Sequence, residues 1–98
     1  MYDLDSVEAS ALVAVCERYG VAELSVFGSV ARGEAAPGSD IDVLYVLREG
    51  ALLGWAINDL ADDLAEILGR PVDLIAKTAL HARLKEAVLA EAEVVYAT

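Results

Sequence analysis

The sequence predicts a small α/β (α+β) domain in which a mixed β-sheet is backed by helices. Two short runs rich in β-branched residues, 41–47 and 72–76, are typical of strands, and two runs with helical periodicity, 6–19 and 52–68, are typical of helices. Glycine and proline separate these runs. Because the chain has 98 residues, 57% of them hydrophobic, it can build one core, and we expect a single domain over 1–98.

The first helix is predicted over Ser6–Tyr19. Asp5 can cap its start, and Glu8 follows three residues later, which is the pattern of a capping box. Gly20 is a natural stop for this helix, because glycine readily takes the left-handed conformation that ends helices. Residues 23–27 then read as a short strand.

A short helical turn is predicted over 30–35, before a Pro-Gly pair that favours a loop. Residues 41–47 give the clearest strand pattern in the chain. Residues 52–68 give the clearest helix, because an apolar stripe runs along one face and acidic residues lie mainly off it. Gly69 closes this helix, and Pro71 prevents its continuation.

The last third of the chain predicts one more strand, at 72–76, and one more helix, at 79–91, with Thr78 as its cap. Residues 94–96 fit either a terminal strand or a docked tail. The predicted order is therefore α-β-(short α)-β-α-β-α. The side chains predicted to face inward from the last helix are Leu80, Leu84, Ala87 and Val88.

Composition excludes several classes of protein. The net charge of -10 disfavours a nucleic-acid binder, because phosphate contacts need a basic patch. Cys16 is the only cysteine and His81 the only histidine, which excludes an intrachain disulfide and disfavours Cys- or His-based metal sites. No apolar run is long enough to span a membrane, and the acidic N-terminus lacks a signal-peptide pattern. A cytoplasmic protein is the expectation.

Asp40 and Asp42 lie two residues apart at the head of a predicted strand, so both carboxylates are expected on one face. Ile41 and Val43 would then point into the core. Two carboxylates this close repel each other unless a cation lies between them, and Mg²⁺ favours such oxygen ligands. An acidic turn at the start of a strand is the alternative interpretation.

Asp73 interrupts an otherwise apolar strand, where an unpaired carboxylate would be costly to bury. If this strand lies beside the one that follows Asp40, Asp73 completes a cluster of three carboxylates. Such a cluster can hold two metal ions, or hold one and leave a base. The alternative is an edge strand whose outer face is wet.

Gly28 and Ser29 lie at a strand-to-helix turn, where backbone N–H groups and a hydroxyl can bind phosphate oxygens. A simple turn is the alternative. Arg32 follows one turn later. It could reach a phosphate or form a structural ion pair with the acidic cluster, and the second role is slightly preferred.

The combination of these motifs resembles a known family. Gly28-Ser29-Val30-Ala31-Arg32-Gly33, followed by Ser39-Asp40-Ile41-Asp42-Val43, is similar to the signature of the minimal nucleotidyltransferase (MNT) family, in the polymerase-beta-like nucleotidyltransferase superfamily. The segment from Gly69 to Ile75 resembles the part of that family that bears the third carboxylate. The tail from Glu91 to Tyr96 is also similar, so the resemblance covers nearly the whole chain.

This resemblance implies the small nucleotidyltransferase palm fold and an activity. Family members are commonly the antitoxin of HEPN/MNT toxin–antitoxin pairs, and transfer AMP from ATP to a tyrosine of the HEPN toxin. By motif position it implies Asp40 and Asp42 as Mg²⁺ ligands, and Asp73 as the third ligand or the base. The nucleotide-binding residues that it implies are Gly28, Ser29, Arg32 and Ser39.

Two other mechanisms stay open at this point. The protein could neutralise the toxin by binding and occluding it, without turnover, or it could nucleotidylate a small molecule. A partner is expected in either antitoxin mechanism, because 98 residues leave no second domain to wall the site. We therefore expect a hetero-oligomer with the toxin, or a homodimer when alone. Trp55 is a candidate for such contacts, although a core tryptophan is the more frequent situation.

Overall fold

The computed structural model describes residues 4–28, 30–34, 36 and 38–98. Within these residues, one four-stranded sheet is backed by helices, which confirms the predicted fold class. The strands are β1 (Val21–Phe27), β2 (Ile41–Leu47), β3 (Val72–Ala76) and β4 (Glu93–Ala97). The helices are α1 (Ser6–Tyr19), α2 (Ile57–Leu68) and α3 (Ala82–Glu91).

The order of the strands across the sheet is β3-β2-β1-β4. Strand β1 is antiparallel to both of its neighbours, whereas β2 and β3 are parallel. The parallel pair is possible because α2 carries the chain back from the end of β2 to the start of β3. As a result, β2 and β3 begin at the same edge of the sheet, and β1 ends there.

Helix α1 has the bounds and caps that the sequence predicts. The Asp5 carboxylate accepts a hydrogen bond from the Glu8 N–H at 2.7 Å, and the Glu8 carboxylate accepts one from the Asp5 N–H at 3.1 Å. Gly20 ends the helix in the left-handed conformation, with φ of 71°. The predicted capping box is therefore confirmed.

The core lies between the sheet and the helices α1 and α2. The apolar stripe of α2 supplies Leu60 and Leu64, both fully buried, as its periodicity predicts. Cys16 is also buried, and burial raises the pKa of its thiol to about 12, so it acts as a small apolar residue. The buried apolar side chains of this core are Leu12, Val15, Cys16, Val21, Leu24, Val26, Ile41, Val43, Leu60 and Leu64.

The predicted helix over 52–68 is wrong at its start. A 3₁₀ turn, Gly54–Ala56, precedes α2, which begins only at Ile57. The reason is local: Gly54 has a φ of 51°, which an α-helix does not accommodate. Trp55 is 96% exposed, so its expected alternative role as a core residue is excluded.

The predicted helix over 79–91, with Thr78 as its cap, is also wrong at its start. Residues 77–79 form a 3₁₀ turn, the backbone is then extended, and α3 begins at Ala82. The cap is His81, whose Nδ1 accepts a hydrogen bond from the Arg83 N–H at 3.3 Å. All residues of α3 are described, and none is buried. The expected inward face is therefore wrong at Ala87 and at Leu84, which is 60% exposed, whereas Leu80 and Val88 are half-buried.

The remaining elements agree with the sequence prediction or differ from it by two residues. Strand β1 begins at Val21, two residues earlier than expected. Residues 30–33 form a turn in which the Arg32 N–H donates to the Gly28 carbonyl four residues earlier, which agrees with the predicted short helical turn over these described residues. Residues 94–96 belong to β4, so the terminal strand is confirmed over the docked tail. No helix among the described residues has the length and apolar character needed to cross a membrane.

Candidate active site

The three predicted carboxylates lie near one another at the edge of the sheet where β1 ends and where β2 and β3 begin. Asp42 lies in β2, and its Cα pairs with that of Asp73 in β3 and with that of Phe27 in β1. Asp40 precedes β2 by one residue, rather than lying within the strand. The fold therefore brings together residues that are more than thirty positions apart in the sequence.

The side chains at the start of β2 alternate as the sequence predicts. Ile41 and Val43 are buried in the core, whereas Asp42 is only partly buried and Asp40 is exposed. Asp73 is exposed, because β3 is the edge strand of the sheet. Strand β3 is therefore a solvent-exposed edge strand, as the alternative interpretation proposed. Asp73 is nevertheless also a neighbour of Asp42, as the cluster interpretation proposed.

Asp42 is the carboxylate whose charge is least favourable. Burial raises the pKa of Asp42 above its usual value, and the nearby charges of Asp73 and Asp40 raise it further. Arg32 acts in the opposite direction and lowers it. A cation placed among the carboxylates would remove this repulsion.

The donor set fits Mg²⁺, because Asp42 and Asp73 on adjacent strands, and Asp40 just before β2, offer the hard oxygen ligands that this ion binds. In residues 4–28, 30–34, 36 and 38–98, however, no three carboxylate, imidazole or thiolate groups are already gathered as a metal-ligand set. The carboxylates are therefore neighbours whose charges repel one another, and they do not form a metal-ligand set in this structure.

Gly28 directly follows the last residue of β1 and packs against Asp42. Its φ of 76° is left-handed, and a Cβ at this position would overlap Oδ2 of Asp42 and lie 3.3 Å from its Cγ. Two features therefore require glycine at this position: the left-handed backbone conformation and the close approach of the Asp42 side chain. The predicted phosphate-binding glycine is thus also the residue that makes room for the central carboxylate.

The other residues predicted to bind nucleotide have mixed positions. Ser29 lies outside the described residues. Ser39 donates its hydroxyl hydrogen bond to the carbonyl of Ala36 at 2.6 Å, which closes the turn that precedes Asp40. Arg32 forms ion pairs with Glu34 and Glu91, both at 3.0 Å.

Glu91 is the site residue that sequence reasoning missed. Its carboxylate accepts hydrogen bonds from Arg32 and from the Gly28 N–H. A signal was present in the sequence, because Glu91 ends a predicted helix, where the helix dipole disfavours a negative charge. An acid at such a position indicates a tertiary partner.

Comparison with known proteins agrees with this geometry. The family model for the nucleotidyltransferase domain matches residues 10–95. The chain belongs to the nucleotidyltransferase family. The protein adenylyltransferase MntA of Thermococcus cleftensis is 43% identical to it over 75 residues, which are 76% of this chain and 75% of that protein.

A solved structure of a minimal nucleotidyltransferase is similar to this chain in both sequence and fold. A candidate minimal nucleotidyltransferase of known structure is 40% identical, covers 89% of this chain and 88% of its own, and has a TM-score of 0.72. A chain from the complex of the tri-AMPylated Shewanella oneidensis HEPN toxin with MNT antitoxin has a TM-score of 0.65 at 20% identity. That alignment covers 97% of this chain and 74% of that one, and it shows the shared fold.

Membership in the family makes this chain a nucleotidyltransferase and confirms the resemblance to minimal nucleotidyltransferases. The carboxylates at this edge of the sheet are the motif residues to which the resemblance assigns roles, and two of them, Asp42 and Asp73, are neighbours on paired strands. Their individual roles stay predictions at this stage.

Proposed function

We propose that this chain is a Mg²⁺-dependent protein adenylyltransferase that transfers AMP from ATP to a tyrosine hydroxyl of a HEPN toxin. It would act as the antitoxin of that toxin, in the cytoplasm, with residues 1–98 forming one catalytic domain. The supporting observation is Asp42, whose carboxylate packs against Gly28 and whose pKa is raised by burial and by the nearby charges of Asp73 and Asp40, so that a cation would stabilise it.

The residues of the site would share the work as follows. Asp40 and Asp42 would hold Mg²⁺, which neutralises charge on the triphosphate when bound. Gly28 would let the triphosphate approach the backbone closely, since its own N–H donates to Glu91, and Ser29 would bind phosphate oxygens. Asp73 would be the third ligand, or the base that accepts the proton of the acceptor hydroxyl.

The reaction is a substitution at the α-phosphorus of ATP. The tyrosine oxygen forms the new bond to this phosphorus, and the bond to the oxygen that bridges to the β-phosphate breaks. Pyrophosphate leaves, and the tyrosine proton passes to a base or to solvent. In this chemistry the protein contributes mainly by positioning the reactants and neutralising charge.

Two features support a protein partner. The relative from Thermococcus cleftensis is named as a protein adenylyltransferase, and a structural neighbour comes from a complex with an AMPylated HEPN toxin. In addition, Leu52 and Trp55 are 91% and 96% exposed in the segment between β2 and α2. Exposed aromatic and aliphatic side chains of this kind are typical anchors of protein interfaces.

Intact-mass spectrometry of the partner tests the proposal. The product of the adjacent open reading frame, which we expect to be the HEPN toxin, is incubated with this chain, ATP and Mg²⁺, and we expect a mass increase of whole AMP units. Asp40→Asn/Asp42→Asn should abolish the increase. The matched control is Asp62→Asn/Glu66→Gln, which removes two carboxylates from the exposed face of α2 and should leave transfer intact.

The same experiment separates the alternatives. An unmodified toxin that still binds tightly, and is still neutralised when Asp40 and Asp42 are replaced, would establish occlusion without turnover. An unmodified, unbound toxin would contradict both antitoxin mechanisms and would leave the small-molecule nucleotidyltransferase. A homodimer of the chain alone is checked by its mass in solution.

Trp55→Ala should weaken the complex with the toxin by at least about tenfold, because a tryptophan buried at an interface is often worth more than about 2 kcal/mol. Isothermal titration calorimetry measures this change. Val7→Ala is the control, since Val7 is 76% exposed on α1 and the proposal gives it no contact. Unchanged affinity in the Trp55 variant would show that the partner binds elsewhere.

A further inference from the structure

Glu91 is the last residue of α3. Its carboxylate contacts the segment that follows β1, of which Gly28 and residues 30–34 are described. Oε1 accepts a hydrogen bond from the Gly28 N–H at 3.3 Å. The same carboxylate accepts two hydrogen bonds from Nη1 of Arg32, at 3.2 Å and 3.0 Å. One side chain therefore holds both the start of this segment and its arginine.

The position of Glu91 in the fold explains how it reaches them. Strand β4 begins two residues later, and Glu93 pairs with Val26 in β1. Gly28 lies two residues beyond Val26, past the end of the paired strands. The Glu91 carboxylate thus gives the Gly28 N–H an acceptor where β4 no longer offers a backbone carbonyl.

This arrangement works against the electrostatics of α3 itself. A carboxylate at the C-terminal end of a helix is disfavoured by the helix dipole. Within α3, all of which is described, no side chain is fully buried, so apolar packing contributes less to this helix than to α1 and α2. The contacts of Glu91 therefore serve the segment after β1 more directly than they serve α3.

A chain of contacts leads from Glu91 to the reacting carboxylates. Gly28 packs so closely against Asp42 that a Cβ would overlap its Oδ2. Arg32, which Glu91 holds, interacts electrostatically with Asp42. A shift of Gly28 or Arg32 would therefore change the surroundings of the central carboxylate.

We infer that Glu91 is a positioning residue for nucleotide binding: it fixes Gly28 and Arg32 so that the segment after β1 is ready to receive the triphosphate. The inference rests on the proposed function for its consequence, which is ATP affinity. The contact itself can be tested without any activity. A competing role, in which Glu91 occupies the phosphate site and ATP must displace it, predicts the opposite change in affinity.

The contact is tested by amide hydrogen exchange of Gly28, measured by NMR. In Glu91→Ala the Gly28 amide should exchange at least about tenfold faster than in the wild type, because its acceptor is lost. Glu91→Gln keeps an acceptor oxygen and should give a smaller increase. Glu86→Gln, an exposed acid on the same helix, is the control and should leave the exchange rate unchanged.

The consequence is tested with the KM for ATP and the kcat for AMP transfer. Glu91→Ala should raise the KM for ATP about tenfold and change kcat less, and Glu91→Gln should recover part of the loss. A merely structural role would lower the melting temperature without this separation of KM from kcat. The Glu86→Gln control should match the wild type.

Several outcomes would overturn the inference. An unchanged Gly28 exchange rate would remove the contact, and tighter ATP binding in Glu91→Ala would establish the competing role. Faster exchange with an unchanged KM would reduce Glu91 to a structural residue. Failure of the proposed function looks different, because the wild type itself would then transfer no AMP, while slow Gly28 exchange that depends on Glu91 would still establish that Glu91 holds this segment.

Discussion

Helices α1 and α2 and helix α3 lie against the same sheet but are held there in different ways. Helices α1 and α2 bury leucine, valine and cysteine side chains completely or nearly so. Helix α3, described in full, buries none, and its C-terminal residue contacts the segment after β1 through charge. The buried faces of α1 and α2 pack with the sheet to form the interior. Helix α3 belongs to a polar rim, which we define as α3, the segment after β1 and the carboxylates Asp40, Asp42 and Asp73.

This difference separates the residues that stabilise the fold from the residues of the candidate site. Buried apolar surface stabilises the folded state by about 25 cal/mol per Å², and removing buried side-chain atoms leaves a cavity that costs more. The interior therefore dominates the free energy of unfolding. The rim contains exposed ion pairs, which typically contribute less than about 1 kcal/mol each. Its residues are therefore free to serve binding and chemistry, and the predictions below test that separation.

The largest effect is expected in the interior. Leu64→Ala should lower the free energy of unfolding by about 2–5 kcal/mol, because Leu64 is fully buried and its loss leaves a cavity. Urea denaturation followed by circular dichroism measures the change. A loss below about 1 kcal/mol would mean that α2 can collapse into the cavity, and that the interior is less tightly packed than the structure shows.

The next effect concerns the glycine at the rim. Gly28 and Gly33 have nearly equal φ values, 76° and 73°, but only Gly28 has a neighbour that a Cβ would meet. Gly33→Ala should therefore cost only the left-handed backbone, about 1–2 kcal/mol. Gly28→Ala should cost about 1–3 kcal/mol more, because the methyl group overlaps Asp42.

The two glycine variants are compared by thermal denaturation under one set of conditions. Equal losses of stability would show that Asp42 can turn away from Gly28 at little cost. In that case the close approach would not constrain the carboxylate, and the rim would be looser than the structure shows.

Asp42→Asn should have the opposite sign and leave the protein as stable or more stable. Because the pKa of Asp42 is raised on folding, its charged form destabilises the folded state. The folded protein holds the proton more tightly, so this contribution to stability is present below the unfolded pKa of about 3.9 and is lost as pH rises through the folded pKa.

The measurement is the free energy of unfolding of both proteins from about pH 4 to pH 7, across the window in which an aspartate with a raised pKa titrates. The advantage of the Asn variant should grow with pH. Added Mg²⁺ should stabilise the wild type and not the variant, since binding to the folded state raises stability. A variant less stable at neutral pH would contradict the repulsion at this edge.

The interior could be predicted from the sequence because periodicity carries it. The stripe of α2 and the capping box of α1 are local patterns, and both are confirmed. The start of α3 could not be predicted in this way. Thr78 is a good cap by type, but the chain forms a 3₁₀ turn and uses His81 instead, so a local propensity was overridden.

The site shows the same division. The sequence could predict that Asp42 and Asp73 are neighbours only if their strands are adjacent, and the structure pairs these strands in parallel with the two residues in register. Glu91 could not, since its contact with Arg32 joins positions 59 residues apart and follows no periodicity. Long-range polar contacts of this kind depend on the final arrangement of the strands.

The smallest effect is expected at the outer face of α3. Leu84→Ala should change the free energy of unfolding by less than about 0.5 kcal/mol, because Leu84 is 60% exposed and alanine is at least as good a helix former. Urea denaturation beside Leu64→Ala measures both leucines on one scale. A loss above about 2 kcal/mol would mean that α3 packs as part of the interior in solution. The contrast between a packed interior and a charge-held rim would then fail, and Glu91 would have to be regarded as part of the packing of α3.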